Sequence, residues 1–258
     1  MLTRAAAAAA REAATEAAAA EQMRRQMVRT QLARTATLIL SGTNGLSYLI
    51  ARTEYSRAML ASAIDLLHEA ARALNLPING AGRILALNQE GVFPGPLPGS
   101  INVARRIAGQ LSGVLPRPAY LQISQCRLHV TILDNFFVGA RAHLITCTEI
   151  LGLQDESPQS QRWRDRMAVS AAESTVARRW LVDAEVLAAD VHLVLLGLLT
   201  YWHPDGVWRL DPSLDLSSAD ETLHVAMDLM DQALAAMRRM HRALELLGHE
   251  LLIVMRNQ

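Results

Sequence analysis

The stretch LHVAMDLMDQALAAMRRMHRALELLGHELLIVM, residues 223–255, decides the fold. Its apolar side chains return alternately after three and four positions: Leu223, Met227, Met230, Leu234, Met237, His241, Leu244, Gly248, Leu251 and Met255. An α-helix turns once in 3.6 residues, so this spacing collects the apolar groups into one stripe, and such a stripe must be covered by another helix. The pattern recurs twice upstream. It runs through Leu46, Leu49, Thr53, Ser56, Leu60, Ala63, Leu67, Ala70 and Leu74, and again through Ile123, Cys126, Val130, Leu133, Phe137, Ala140, Leu144, Cys147 and Leu151. A fourth stripe is expected at Val176, Trp180, Ala184, Leu187, Val191, Val194, Leu198 and Tyr201. The fold class is therefore all-α, a bundle of about five long helices over 3–41, 46–75, 118–153, 160–202 and 219–256.

Composition agrees. Of 258 residues, 51% are hydrophobic but only 4% aromatic. Ala, Leu and Met dominate, and these lose little side-chain freedom in a helix. No alternation long enough to make a strand occurs.

Two segments stand apart from the stripes. Residues 3–41 begin with an Ala-rich run that offers almost no bulky apolar group before Met23. The chain is thus read as an N-terminal helical arm, 1–41, and a bundle domain, 42–258. Ser41-Gly42-Thr43-Asn44-Gly45 between them is expected to stop the first helix and turn the chain. The second segment is an irregular connection, 76–118, rich in Pro and Gly, with a short helix expected at 100–113. Long connections of this kind tend to be functional or to carry contacts. Gly152, the turn His203-Pro204-Asp205-Gly206, and Ser218 with Glu221 as a capping box are read as the later helix boundaries.

The 25 basic residues are all Arg, and they balance 25 acids. The balance is uneven along the chain. Residues 1–150 hold 15 Arg against 9 acids, while residues 151–258 hold 10 Arg against 16 acids. Opposite charge in the two halves suits contact with an anionic partner or head-to-tail contact between copies. Arg24, Arg25, Arg29 and Arg34 are expected on one narrow sector of the first helix, and Arg105-Arg106 in the irregular connection. Guanidinium groups match phosphate, so these six are the candidate nucleic-acid-binding residues.

Other chemistry finds little support. A carboxylate-bridged di-metal bundle needs two Glu-x-x-His pairs, and Glu221-Thr-Leu-His224 is a single one. No metal site or cofactor is assigned. His241, on the seam, and His129, His143 and His192, single histidines on apolar helices, are expected as buried neutral imidazoles. Asp134 and Asp190 are expected as buried partners for Arg or His. Cys126 and Cys147 lie on one helix about 31 Å apart at 1.5 Å per residue, too far for a disulfide. Neither has an electropositive setting, and no nucleophile elbow, Walker loop or dinucleotide fingerprint is present. No catalytic residue is assigned, and the chain is read as a non-enzyme.

No run reaches the roughly 20 clean apolar residues of a membrane span. The first residues lack a secretory signal's apolar core, so export by a signal peptide is not expected; the location is left open, and the cytoplasm or a virion would both fit. The expectation is a structural, self-assembling helical subunit, homo-oligomeric and coat- or nucleocapsid-like, that contacts nucleic acid through its Arg clusters. A non-assembling nucleic-acid-binding protein, and a bundle enzyme or binding protein with a core ligand, are the alternatives.

Overall fold

The computed structural model describes residues 4–73, 78–85, 119–153, 157–200 and 216–258. These form four helices: α1 (Arg4–Ala73), α2 (Tyr120–Ile150), α3 (Pro158–Thr200) and α4 (Leu216–Arg256). The one extended pairing among the described residues is an isolated antiparallel bridge, Ile78 with Ile84. The fold is all-α. Most of the 76–118 connection, its expected helix at 100–113, Arg105-Arg106 and the turn at His203–Gly206 lie outside the described residues.

Among the described residues the count is four rather than five because Ser41–Gly45 does not end a helix: α1 passes through it unbroken. Packing accounts for this. Ile39, Thr43 and Leu46 are all buried, so the stripe continues across the two glycines. The Thr43 hydroxyl donates to the Leu40 carbonyl at 2.6 Å, which satisfies it inside the helix. Gly42 sits against Phe136 so closely that a Cβ there would enter the ring's envelope. Its missing side chain serves close approach of α2, not a left-handed cap. The expected boundary at 41/42 is thus not a helix end.

The other boundaries obey local rules. Gly152 has φ 64°. The Leu153 N–H donates to Thr148 O at 3.0 Å and the Gly152 N–H to Glu149 O at 3.0 Å, the two bonds of a Schellman motif closing α2. α3 opens on Ser157, whose hydroxyl accepts from the Ser160 N–H at 3.2 Å, with Pro158 in the first helical position. α4 begins at Leu216, so Ser218 lies inside its first turn instead of capping it.

The chain divides into two compact units, and each helix gives a segment to both. The first unit comprises Met1–Leu46, Leu133–Ala172 and Arg239–Gln258. Its core holds Leu32, Ala36, Ile39, Phe137, Ala140, Leu144, Trp163, Met167, Leu244, Leu247 and Leu251. Gly248 is the small residue that admits α1: a Cβ there would lie 2.7 Å from Leu40 Cδ2. Arg166 ties α3 to α4 through Glu250 at 2.6 Å.

The second unit comprises Ser47–Ile132 and Glu173–Arg238. Here α1 and α4 run antiparallel: Thr53, Arg57 and His68 meet Met237, Asp231 and Asp220 in turn. The Arg57 fork bonds both Asp231 oxygens, and this hydrogen bonding raises the Arg57 pKa beyond its ordinary value. Arg238 reaches Glu54 at 2.6 Å, and Arg127 joins α2 to α3 through Glu185 at 2.6 Å. Exposed pairs of this sort contribute at most about 1 kcal/mol each, so the core and not the ion pairs holds the unit.

Of the anticipated stripes, that on α1 from Leu46 to Leu67 and those on α2 and α4 are buried, with Leu133, Leu151, Met227, His241 and Met255 half-covered at their edges; the side chains of Ala70 and Leu74 lie outside the described residues. Thr53 and Ser56 sit fully buried because each hydroxyl donates to the carbonyl four residues back, at 2.9 Å. The α3 stripe differs from expectation. Its buried positions are Ser160, Trp163, Met167, Ser170, Ser174, Ala177, Leu181, Ala184, Ala188 and Val191, while Val176 is exposed and Trp180 and Leu187 are half-covered. Ala184 and Val191 lie on the seam as expected, whereas Ala177, Leu181 and Ala188 take it in place of Val176, Trp180 and Leu187; the side chains of Val194, Leu198 and Tyr201 lie outside the described residues.

Candidate functional site

The candidate arginines on α1 stand in the first unit. Arg24, Arg25, Arg29 and Arg34 are all exposed. Arg25 pairs with Glu21 at 3.0 Å, whereas Arg24, Arg29 and Arg34 form no ion pair among the described residues. They do not share one narrow sector: at 100° per residue the four fan over about 220° of the helix. They flank the stripe that begins at Val28 instead of forming a separate face. From Arg11 to Met27 every residue is exposed, including Met23 at 66% and Met27 at 58%. Arg105 and Arg106 cannot be placed beside them, lying outside the described residues.

A site that sequence reading missed lies in the second unit. Asp220, in the first turns of α4, is 1% exposed. Its Oδ1 accepts from His68 Nε2 of α1 at 2.9 Å and lies 3.3 Å from His224 Nδ1. Its Oδ2 accepts from the backbone N–H of Ile84 at 3.1 Å. The two imidazoles stack, with centroids 6.2 Å apart and planes 29° apart. His224 also donates from Nδ1 to the Asp220 carbonyl at 2.8 Å, which fixes the Nδ1–H tautomer.

The turn carrying Ile84 is built locally. The Asn79 side chain accepts from the N–H groups of Ala81 and Arg83, both at 2.9 Å, and Gly82 takes φ 76°. Asn79 and Gly82 thus make a side-chain-stapled turn that delivers one amide to a buried carboxylate. The cluster anchors the start of the 76–118 connection to α1 and α4. A signal for it was present: stepping the α4 stripe back three places from Leu223 lands on Asp220, an acid at a core position.

The remaining candidates separate cleanly. His129 and His143 are exposed rather than buried, and Asp190 is exposed with Asp134 half-covered. His129 bonds the Gln125 carbonyl at 2.7 Å, and His143 meets Gln31 of α1 at 3.3 Å. His241 is half-covered, its Nδ1 3.9 Å from Glu245. Cys126 and Cys147 are free and buried. Burial pushes the Cys147 thiol above its ordinary range, against a smaller opposing effect of the Thr35 hydroxyl, and this runs opposite to what a nucleophile needs. Among the described residues no three His, Cys, Asp or Glu side chains converge as metal ligands, and no helix is long and apolar enough to cross a membrane. Comparison of the chain with protein families, curated proteins and solved structures found no match.

The Asp220 cluster makes a direct prediction. Asp220→Ala leaves the His68 donor and the Ile84 amide without their acceptor in a buried place, and costs about 2–3 kcal/mol in urea unfolding. Asp220→Asn keeps one acceptor oxygen and costs about 1 kcal/mol. The Ile84 amide exchanges with solvent faster in Asp220→Ala than in the parent. An unchanged exchange rate would mean that the carboxylate does not hold the turn.

Proposed function

We propose that this chain is a structural subunit that assembles with copies of itself through its helices, in the manner of a coat or nucleocapsid protein. The observation that carries the reading is the first part of α1. Residues 11–27 extend as helix while burying nothing, and they end in two methionines that face solvent. An Ala-rich helix has the propensity to form, but each Ala contributes little buried area. Its thin surface suits close packing against a second helix, as small residues elsewhere in this fold permit at Gly42 and Gly248. A neighbouring copy supplies such a helix without any further partner.

Light scattering at tens of micromolar tests this, comparing the whole chain with residues 23–258. The expected outcome is a mass of several subunits for the whole chain and a smaller mass after deletion, with helicity of the remainder retained. A monomer of the same kind in both samples contradicts the proposal.

The accompanying role of Arg24, Arg25, Arg29 and Arg34 is contact with the phosphate backbone. Its support is their exposure and the three guanidinium groups without ion pairs among the described residues. Four released counterions correspond to a slope of about 3 in log affinity against log salt for a single strand. Replacing all four by Gln lowers the measured slope by about that amount in an anisotropy titration with a labelled oligonucleotide. Equal slopes for parent and variant contradict the assignment.

A further inference from the structure

α1 carries a second stripe besides the one it buries. Ala13, Glu16, Ala20, Met23, Met27, Thr30, Arg34 and Thr37 return alternately after three and four positions, and every one of them is exposed. At 100° per residue this stripe lies about 150° around the helix from the buried run Val28, Leu32, Ala36 and Ile39. Spacing of this kind suits a helix that meets another along its length. Here it faces solvent, with Met23 and Met27 at its centre 66% and 58% exposed. It continues beyond Val28, where α1 enters the core of the first unit, because Thr30, Arg34 and Thr37 stay on the outside.

Charge and size are ordered along the stripe. Glu16 stands near one end and Arg34 near the other, and neither forms an ion pair among the described residues. Two copies laid parallel would set Glu16 against Glu16 and Arg34 against Arg34. Laid antiparallel about an axis level with residue 25, they set Glu16 of each against Arg34 of the other. The same register sets Met23 against Met27, Ala20 against Thr30 and Ala13 against Thr37. The flexible methionines then meet at the centre, and only small side chains face one another beside them. The Thr30 hydroxyl donates to the Gln26 carbonyl at 2.8 Å, so covering it strands no donor. Sliding one helix by a heptad in either direction places Glu16 or Arg34 opposite a methionine, which leaves the charge unanswered.

We infer that the arms of two copies pair antiparallel through this stripe, in the register that joins Glu16 of each to Arg34 of the other. The contact is isologous and closes on itself, so the arm stripe of a second copy covers the whole stripe of the first. The inference rests on the self-assembly reading above and adds to it a partner surface, a direction and a register. Arg24, Arg25 and Arg29 lie off the stripe, so pairing leaves them in solvent for the phosphate contact proposed above; Arg34 alone is shared with the copy.

Engineered cysteines test it in the whole chain. Met23→Cys and Met27→Cys chains, mixed and mildly oxidised, are expected to join as a disulfide-linked dimer, because the two positions face each other. Each variant alone is expected to link several-fold less, since like positions are then out of step by four residues, about 6 Å along the axis. The native cysteines are buried, and the parent chain is the blank. Charge reversal gives a second readout. In sedimentation, Glu16→Arg weakens self-association about tenfold or more, and so does Arg34→Glu, because each turns two attractive pairs into repulsive ones. Both reversals in one chain restore association to near the parent's. Linkage in a single-variant sample equal to that in the mixture, or a double variant as weak as the singles, overturns the register while leaving assembly in place. A parent that stays monomeric overturns both.

Discussion

The burial of a stripe that recurs every three and four residues governs this molecule. Once Leu32, Ile39, Leu46, Thr53, Leu60 and Leu67 must all be buried, α1 has no freedom to stop at residue 41. Each Leu of this kind, fully removed from water, contributes roughly 1.5–3 kcal/mol. Two glycines in a helix cost about 1 kcal/mol apiece relative to Ala. The stripe therefore outweighs the local stop signal, and Gly42 turns from a breaker into a place where Phe136 can sit.

The same balance explains which features were legible in the sequence and which were not. The seams of α2 and α4 could be read off residue by residue because their large apolar side chains stand out from polar neighbours. The α3 seam was read at Ala184 and Val191 but missed by one position elsewhere, because small residues such as Ser170, Ser174, Ala177 and Ala188 form much of it. A buried Ser that bonds its own helix looks polar in a string of letters; the Ser170 hydroxyl reaches the Arg166 carbonyl at 2.8 Å. The same difficulty hid the site at Asp220. An acid near a helix start reads as a partner for the helix dipole. Only the meeting of α1, α4 and the Asn79 turn shows it as a shared acceptor.

The polar groups divide by what burial demands of them. Asp220 is enclosed and fully used, with donors from α1 and from the Asn79 turn. Its role is to tie that turn to both α1 and α4. Arg24, Arg29 and Arg34 lie at the opposite extreme: they are solvated, form no ion pair among the described residues, and are available to a partner outside the chain.

Packing carries α1 straight through its two glycines, and Gly45 is the position where this can be measured. A Cβ at Gly45 meets nothing within 4 Å, so Ala there removes backbone freedom from the unfolded chain and adds no clash. In urea unfolding, Gly45→Ala is expected to gain about 0.5–1 kcal/mol of stability. A loss of similar size would mean that Gly45 occupies a left-handed turn, and it would contradict the continuous helix.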